Sequence, residues 1–282
     1  VTSDLNQLIE GIRTGSIVPY LGPGTLSGVT NKLDGAAIPA DSESLILAMT
    51  NGQPMSPRLM YEFPRAAMHL ENKKGRSFIE NFLTKVYGET QWSTSELHVA
   101  LADMGAPYVI DVNRDVQLLQ QYTDREHTLI VGAARLAAHP YRFDIYHFVN
   151  GNYTLIEQDQ VNPKIPAVFK PLGCPLPKPS YVASDADFVD YITELMGGFA
   201  IPTWLKDYRQ EKQYLFLGMR FTRDTERMVM SDLIYGANKE LSGWALIKDP
   251  TDKERKFLDK KNIQLIEQDW ASLLEIAAEN AA

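Results

Sequence analysis

Tyr214-Leu215-Phe216-Leu217-Gly218 is a run of four large apolar residues closed by a glycine. A strand with one wet face alternates apolar and polar side chains, and this run does not, so the reading is a strand buried on both faces. A polar turn and a helical pattern over residues 222–235 follow it. The same texture recurs outward in both directions. Short apolar strands are predicted at residues 17–21, 107–110, 127–131, 145–149, 165–169, 244–247 and 263–266. Helical patterns fall at residues 3–12, 42–49, 114–122, 185–196, 251–260 and 269–278. Alternating short strands and helices predict an α/β fold with a mostly parallel sheet and helices on both faces. Pro19 inside the first strand favours an edge position or an irregular start. Residues 51–104 carry helical spacing and no strong strand, broken at Pro64. They are read as a smaller helical insertion between a first segment, 1–50, and the remainder, 105–282.

The 282 residues are 44% apolar with a formal net charge of −8, which argues against a broad nucleic-acid binder, because the phosphate backbone needs clustered positive charge. One cysteine, Cys174, allows neither an intrachain disulfide nor a Cys₄ zinc site and suits a reducing cytoplasm. Residues 1–10 read as a polar helix and not a signal peptide. No apolar run approaches the roughly 20 residues of a membrane span.

In open α/β sheets ligands bind where strands end, and four strand ends here carry unusual side chains. In Leu21-Gly22-Pro23-Gly24-Thr25 the glycines let backbone N–H groups approach an anion. The spacing is not G-x-G-x-x-G, Pro23 removes a donor, and an ordinary turn explains the run equally well. Asp111-Val112-Asn113-Arg114-Asp115 brings two carboxylates, an amide and a guanidinium together. Asn113 both donates and accepts, so it can orient a ribose hydroxyl or a water. The plain alternative makes Asn113 a helix cap and Arg114 a surface partner of Asp111 or Asp115. Lys170-Pro171-Leu172-Gly173-Cys174 is followed by Ser184-Asp185-Ala186-Asp187, where Ser184 or Asp185 reads as a cap. After Gly218, Arg220 and Arg223 are placed to grip a phosphate bidentately, or else to pair with Asp224 and Glu226 at a solvated helix start. His69, His98, His127, His139 and His147 read as structural.

In that order the four stretches resemble the sirtuin-like family of NAD-consuming proteins, and more narrowly the bare-domain branch of bacterial defence NAD hydrolases. Leu21-Gly22-Pro23-Gly24-Thr25 is similar to the family's Leu-Gly-Ala-Gly-x-Ser loop. Asp111-Val112-Asn113-Arg114-Asp115 is similar to its Thr-Thr-Asn-Tyr-Asp. Lys170-Pro171-Leu172-Gly173-Cys174 falls at its Lys-Leu-His-Gly-Ser, and Leu215-Phe216-Leu217-Gly218, with Asp224 and Arg227 beyond, at its Leu-Phe-Leu-Gly-Tyr-Ser stretch. The resemblance implies a Rossmann-like domain with NAD, or an ADP-ribose-like nucleotide, bound against the helical insertion and no metal. It implies catalytic roles for Asn113 and Asp115, and cofactor contacts from Gly22, Pro23, Gly24, Thr25, Asp187, Gly218, Arg220 and Asp224. Leu172 stands where the family carries its catalytic histidine, and leucine cannot take a proton. The expectation is therefore nucleotide binding with impaired NAD cleavage, in a sensor or regulatory role, with a protein partner or a second copy of the chain alongside. The alternatives are an active NAD hydrolase and an interaction module that has kept only the fold. The zinc-binding cysteines of the deacylase branch are absent.

Overall fold

The run at residues 214–217 lies next to the centre of a nine-stranded sheet, paired in parallel on both sides. The computed structural model describes residues 2–281. The chain opens with α1 (Thr2–Thr14), β1 (Ile17–Leu21), α2 (Ser42–Met49), α3 (Pro57–Met60), α4 (Phe63–Lys74), α5 (Arg76–Thr84) and α6 (Glu96–Met104). It continues with β2 (Tyr108–Asp111), α7 (Gln117–Gln120), β3 (His127–Gly132), β4 (Phe143–Val149), β5 (Asn152–Ile156), β6 (Ala167–Lys170), β7 (Gly173–Cys174) and β8 (Ser180–Tyr181). It closes with α8 (Asp185–Gly197), α9 (Thr203–Tyr208), β9 (Gln213–Leu217), α10 (Asp224–Leu233), β10 (Gly243–Leu246), α11 (Asp252–Lys260), β11 (Ile263–Ile266) and α12 (Ala271–Ala281).

The strand order is β11-β10-β9-β1-β2-β6-β3-β4-β5, and the first seven are mutually parallel. This is a Rossmann-like α/β fold. From β1 the chain first builds outward through β2, β3, β4 and β5, returns to insert β6 between β2 and β3, and then crosses to place β9 on the other side of β1. That reversal is the topological switch point, where the carboxyl ends of neighbouring strands diverge and leave a crevice.

Period-two alternation sends successive side chains to opposite faces. Tyr20, Ile110, Phe169 and Phe216 join one core with Phe188, Tyr191 and Met230. Leu21, Val109, Val168 and Leu217 join the other with Leu8, Ile12, Leu97 and Leu273. A third cluster, including Leu26, Leu45, Ala67, Ile79 and Leu83, takes in Tyr181 and Ala183 from beyond the helical stretch.

Several expectations need correcting. β1 is central, not an edge strand: its ladder to β2 begins at Tyr20, one residue past Pro19, so the missing N–H falls outside that ladder. Pro64 does not break a helix but sits in the first turn of α4, where its absent N–H has no intrahelical partner to lose. The helix predicted from residue 114 shrinks to the single turn α7. β4 runs antiparallel and turns back into β5 through Asn150-Gly151, both at positive φ, a hairpin geometry that Asn-Gly favours. Among the described residues no helix is long and apolar enough to cross a membrane.

Candidate functional site

Three strand ends are tied together, two by their backbone and the third by a side chain. The Gly22 N–H donates to the Leu217 carbonyl at 2.8 Å, and the Gly24 N–H donates to the Gly218 carbonyl at 2.8 Å. Gly218 has φ +67°, and a Cβ there would lie 2.3 Å from the Thr25 nitrogen, so only glycine fits this crossing. Asn113 reaches across from the end of β2. Its Nδ2 donates to the Gly22 carbonyl at 2.9 Å and to Thr25 Oγ1 at 3.1 Å. Thr25 Oγ1 in turn donates to the Gly22 carbonyl at 2.7 Å. The glycine amides expected to face an anion are thus spent on joining β1 to β9. With both amide hydrogens committed, Asn113 can offer a ligand only an acceptor, its Oδ1.

Below this knot lies a buried ionic one. Lys170 Nζ donates to Asp111 Oδ2 at 2.6 Å and lies 3.6 Å from Asp115 Oδ1. Asp111 Oδ1 accepts the Asn113 N–H at 3.0 Å, and Asp115 Oδ2 accepts the Gln117 N–H at 2.7 Å. Burial pushes the Asp111 carboxyl up to about 6; Lys170 opposes this and Asp115 adds to it. Burial alone would lower the Lys170 ammonium, yet Asp111 and Asp115 outweigh it and hold it charged. His98 stands beside them, its Nδ1 2.7 Å from Ser95 Oγ and its Nε2 buried without a partner. Burial pushes that imidazole down to about 4, so it is neutral. Ligand-type atoms of His98, Asp111 and Asp115 lie within 4.8 Å of one another. Metals use such donors, but here Lys170 already supplies the cation.

Above the strand ends, on the Phe216 side of the sheet, is a cleft. Its walls come from the sheet (Tyr20, Asn113, Leu172), from α2 and α4 (Ser42, Leu45, Phe63), and from the start of α10 (Arg223, Thr225, Glu226). Arg114 lines it as well; far from the surface, it is buried, donates to the Val182 carbonyl and lies 5.4 Å from the Phe63 ring. The cavity is about 80 Å³, against roughly 300–1,000 Å³ for typical ligand pockets. Two contacts join the start of α10 to the residues leading into α4. The Arg223 guanidinium lies 4.1 Å over the Tyr61 ring, and Thr225 Oγ1 donates to Glu62 Oε1 at 3.3 Å. Burial raises the carboxyls of both Glu62 and Glu226, the latter to about 7.

The model of the SIR2-like domain matches residues 109–266, more than half the chain. The chain belongs to the SIR2-like domain family. The matched region runs from β2 to the end of β11; β1 and its glycine loop precede it. No curated protein matches the chain.

In this SIR2-like protein the residues singled out in the sequence separate into groups. Gly22, Gly24, Thr25, Gly218 and Asn113 form the knot, and Pro23, Asn113 and Leu172 line the cleft. Asp115 lies beneath, in the Lys170 cluster. Asp187 belongs to another network: it accepts from Arg76, from Arg135 Nε at 2.7 Å, and from the N–H groups of Ala183 and Ser184. Arg220 turns away from the cleft to Glu254 at 2.9 Å and to the carbonyls of Lys248 and Asp249. Asp224 is 89% exposed and pairs with Arg227 at 3.6 Å. Ser184 does cap α8. Asn113 caps nothing; the Asp115 carboxylate holds the start of α7 instead. None of the histidines lines the cleft among the described residues: His127 is boxed in by Tyr122, Phe148 and Tyr153, and His147 pairs with Glu126. The sequence offers no signal for Glu62, and it offers Glu226 only in one of two alternatives, as a partner of Arg220 or Arg223 at a solvated helix start.

Proposed function

We propose that this SIR2-like protein binds NAD, or a related ADP-ribose-containing nucleotide, in the cleft at the switch point, with impaired cleavage of the nicotinamide bond and a sensing or regulatory role. The observation that carries the proposal is Leu172 in the cleft wall, where the family's histidine is expected. The chemistry of the walls supports a nucleotide. Arg114 and Arg223 suit a diphosphate, Asn113 Oδ1 suits a ribose hydroxyl, and Phe63, Tyr87 and Phe188 suit a base or pyridinium ring. Pro23 lies against the same space. Asp115, Gly22, Gly24, Thr25 and Gly218 act in this reading by holding Asn113 and the strand ends in register, and Asp187 by bracing α8. Arg220 and Asp224 stand outside it. A dinucleotide needs more room than this cavity offers, so binding in this reading widens the cleft between α4 and the start of α10.

Loss of nicotinamide passes through an oxocarbenium-like state, and a chain lacking the histidine is less able to take the proton of the water that attacks it. Millimolar NAD or ADP-ribose is expected to raise the melting temperature, since a ligand at about 100 times its Kd adds about 2.7 kcal/mol. Nicotinamide, followed by chromatography, is expected to appear well below the roughly 1 per second of ordinary enzymes. Turnover in the ordinary range would refute the impairment. No melting shift with either nucleotide would refute binding and leave an interaction module that has kept only the fold.

A further inference from the structure

We propose that Glu226 is the proton acceptor for the slow NAD hydrolysis this cleft retains, in place of the histidine position held by Leu172. The inference rests on the nucleotide reading above and adds a residue to it. Glu226 lies in the first turn of α10 and lines the same cleft as Leu172 and Asn113. It is half-buried, so it is both partly desolvated and within reach of a ligand.

The groups facing it come from four directions. Arg223 and Arg227 are on its own helix, Glu62 is at the head of α4, Tyr20 is on β1, and Arg114 follows β2. Among the described residues none of these cations lies within ion-pair distance of Glu226. Arg223 is drawn to Tyr61, and Arg227 to Asp224 and to the Phe221 carbonyl at 2.6 Å. An acidic residue in the first turn of a helix ordinarily gains from the helix dipole, which would lower its pKa. Here burial wins; the Arg223 charge and the Arg223 N–H, which donates to the Glu226 carboxylate, offset it in part, Glu62 adds to it, and the carboxyl is raised to about 7. A carboxylate poised near neutrality in a cleft is suited to general-base work. The other acids on the cleft wall, Tyr20 and Tyr87, are less suited, because burial pushes them well above 10. Glu62 does not line the cleft.

In the step, a water oxygen bonds to C1′ of the nicotinamide ribose as the C1′–N bond breaks. That bond's electron pair goes to the ring nitrogen and frees neutral nicotinamide. The water's proton passes to the Glu226 carboxylate and then to solvent. NAD and water thus give ADP-ribose, nicotinamide and one proton.

The test compares wild type with Glu226→Gln, which keeps the side chain's shape. The ADP-ribose melting shift is expected to survive in the variant. Nicotinamide release is expected to fall about a hundredfold. In wild type it should rise with pH through about 7, because the base works ionised, and that inflection should vanish in the variant. Carbon-13 NMR of labelled glutamate should show one carboxyl titrating near 7 in wild type alone, and that carboxyl should respond to ADP-ribose. If the variant releases nicotinamide at the wild-type rate and pH profile, or if wild type binds ADP-ribose and releases none, Glu226 is not the acceptor. If neither protein binds ADP-ribose, it is the nucleotide reading that fails, and the role of Glu226 falls with it.

Discussion

Lys170→Met is expected to destabilise the fold by about 3–5 kcal/mol near pH 8, the cost of leaving a buried charge without its partner. The Lys170 side chain is 1% exposed, and those of Asp111 and Asp115 are 0% and 2%. Methionine replaces the apolar stem but not the ammonium, so two carboxylates are left side by side with no cation. Asp111 is already raised by burial and by Asp115, with Lys170 holding it down. Without Lys170 it rises further. As pH falls through that higher value Asp111 takes up a proton, one charge disappears, and the deficit shrinks. Urea unfolding near pH 8 and again near pH 5 measures this difference. A deficit of equal size at both values would mean that lost packing, not lost charge, is responsible. Adding Asp111→Asn to Lys170→Met should recover part of the loss, because removing both members of a buried pair costs less than removing one. The damage should reach the cleft too: Asp111 fixes the Asn113 N–H, and Asn113 ties β2 to the Gly22 loop.

The strands of this protein were easiest to read where both faces are buried. β2 and β9 can be placed from apolar runs, and α2 from Asp41, whose side chain caps it at 2.8 Å. β5 escaped because most of its residues are exposed, so no apolar face announces it. The signal that could have found it is Asn150-Gly151, the turn that sends β5 back along β4. At the site, strand-end position was enough to group Gly22, Asn113 and Gly218. What those residues do was not legible, because the Asn113–Gly22 and Gly24–Gly218 bonds join segments far apart in sequence. Arg220 was misdirected for a local reason. Met219 and Phe221 on either side of it are 2% and 0% exposed, both buried in the core, and Phe221 takes a positive φ of 51°. The residue between them is therefore turned outward, toward Glu254. Glu226 looks from sequence like any acid at a helix start. Its altered chemistry comes from α4 and Glu62 packing over it, which no local pattern encodes.

Asp187→Ala is expected to lose about 3 kcal/mol, the scale for breaking a buried, hydrogen-bonded ion pair. The Asp187 side chain is fully buried, yet it serves three parts of the structure at once: Arg76 of α5, Arg135 after β3, and the Ala183 and Ser184 N–H groups at 2.9 and 3.0 Å. Burial alone would raise its carboxyl, but the Arg76 bond and charge and the two N–H donors outweigh it and hold it below the ordinary carboxylate range. For an acid lowered on folding, the contribution is fully present above the unfolded value and is lost as pH falls through the lowered one. The gap between wild type and Asp187→Ala should therefore stay constant from about pH 5 to 8 and close only in strong acid. Glu71 contacts both arginines and Glu80 pairs with Arg76 at 3.0 Å, so alanine does not strip the guanidinium groups of every counter-charge. The larger part of the loss is then the two buried N–H groups, which share Asp187 Oδ2, and Asp187→Asn, whose amide oxygen can take that place, should recover some of it. Because Glu71 is on α4, a wall of the cleft, and Arg76 is on α5, which packs on α4, amide hydrogen exchange in α4 and α5 should quicken more than exchange in β1 or β9. Equal acceleration everywhere would mean that Asp187 supports the fold as a whole, with no special hold on α4 and α5.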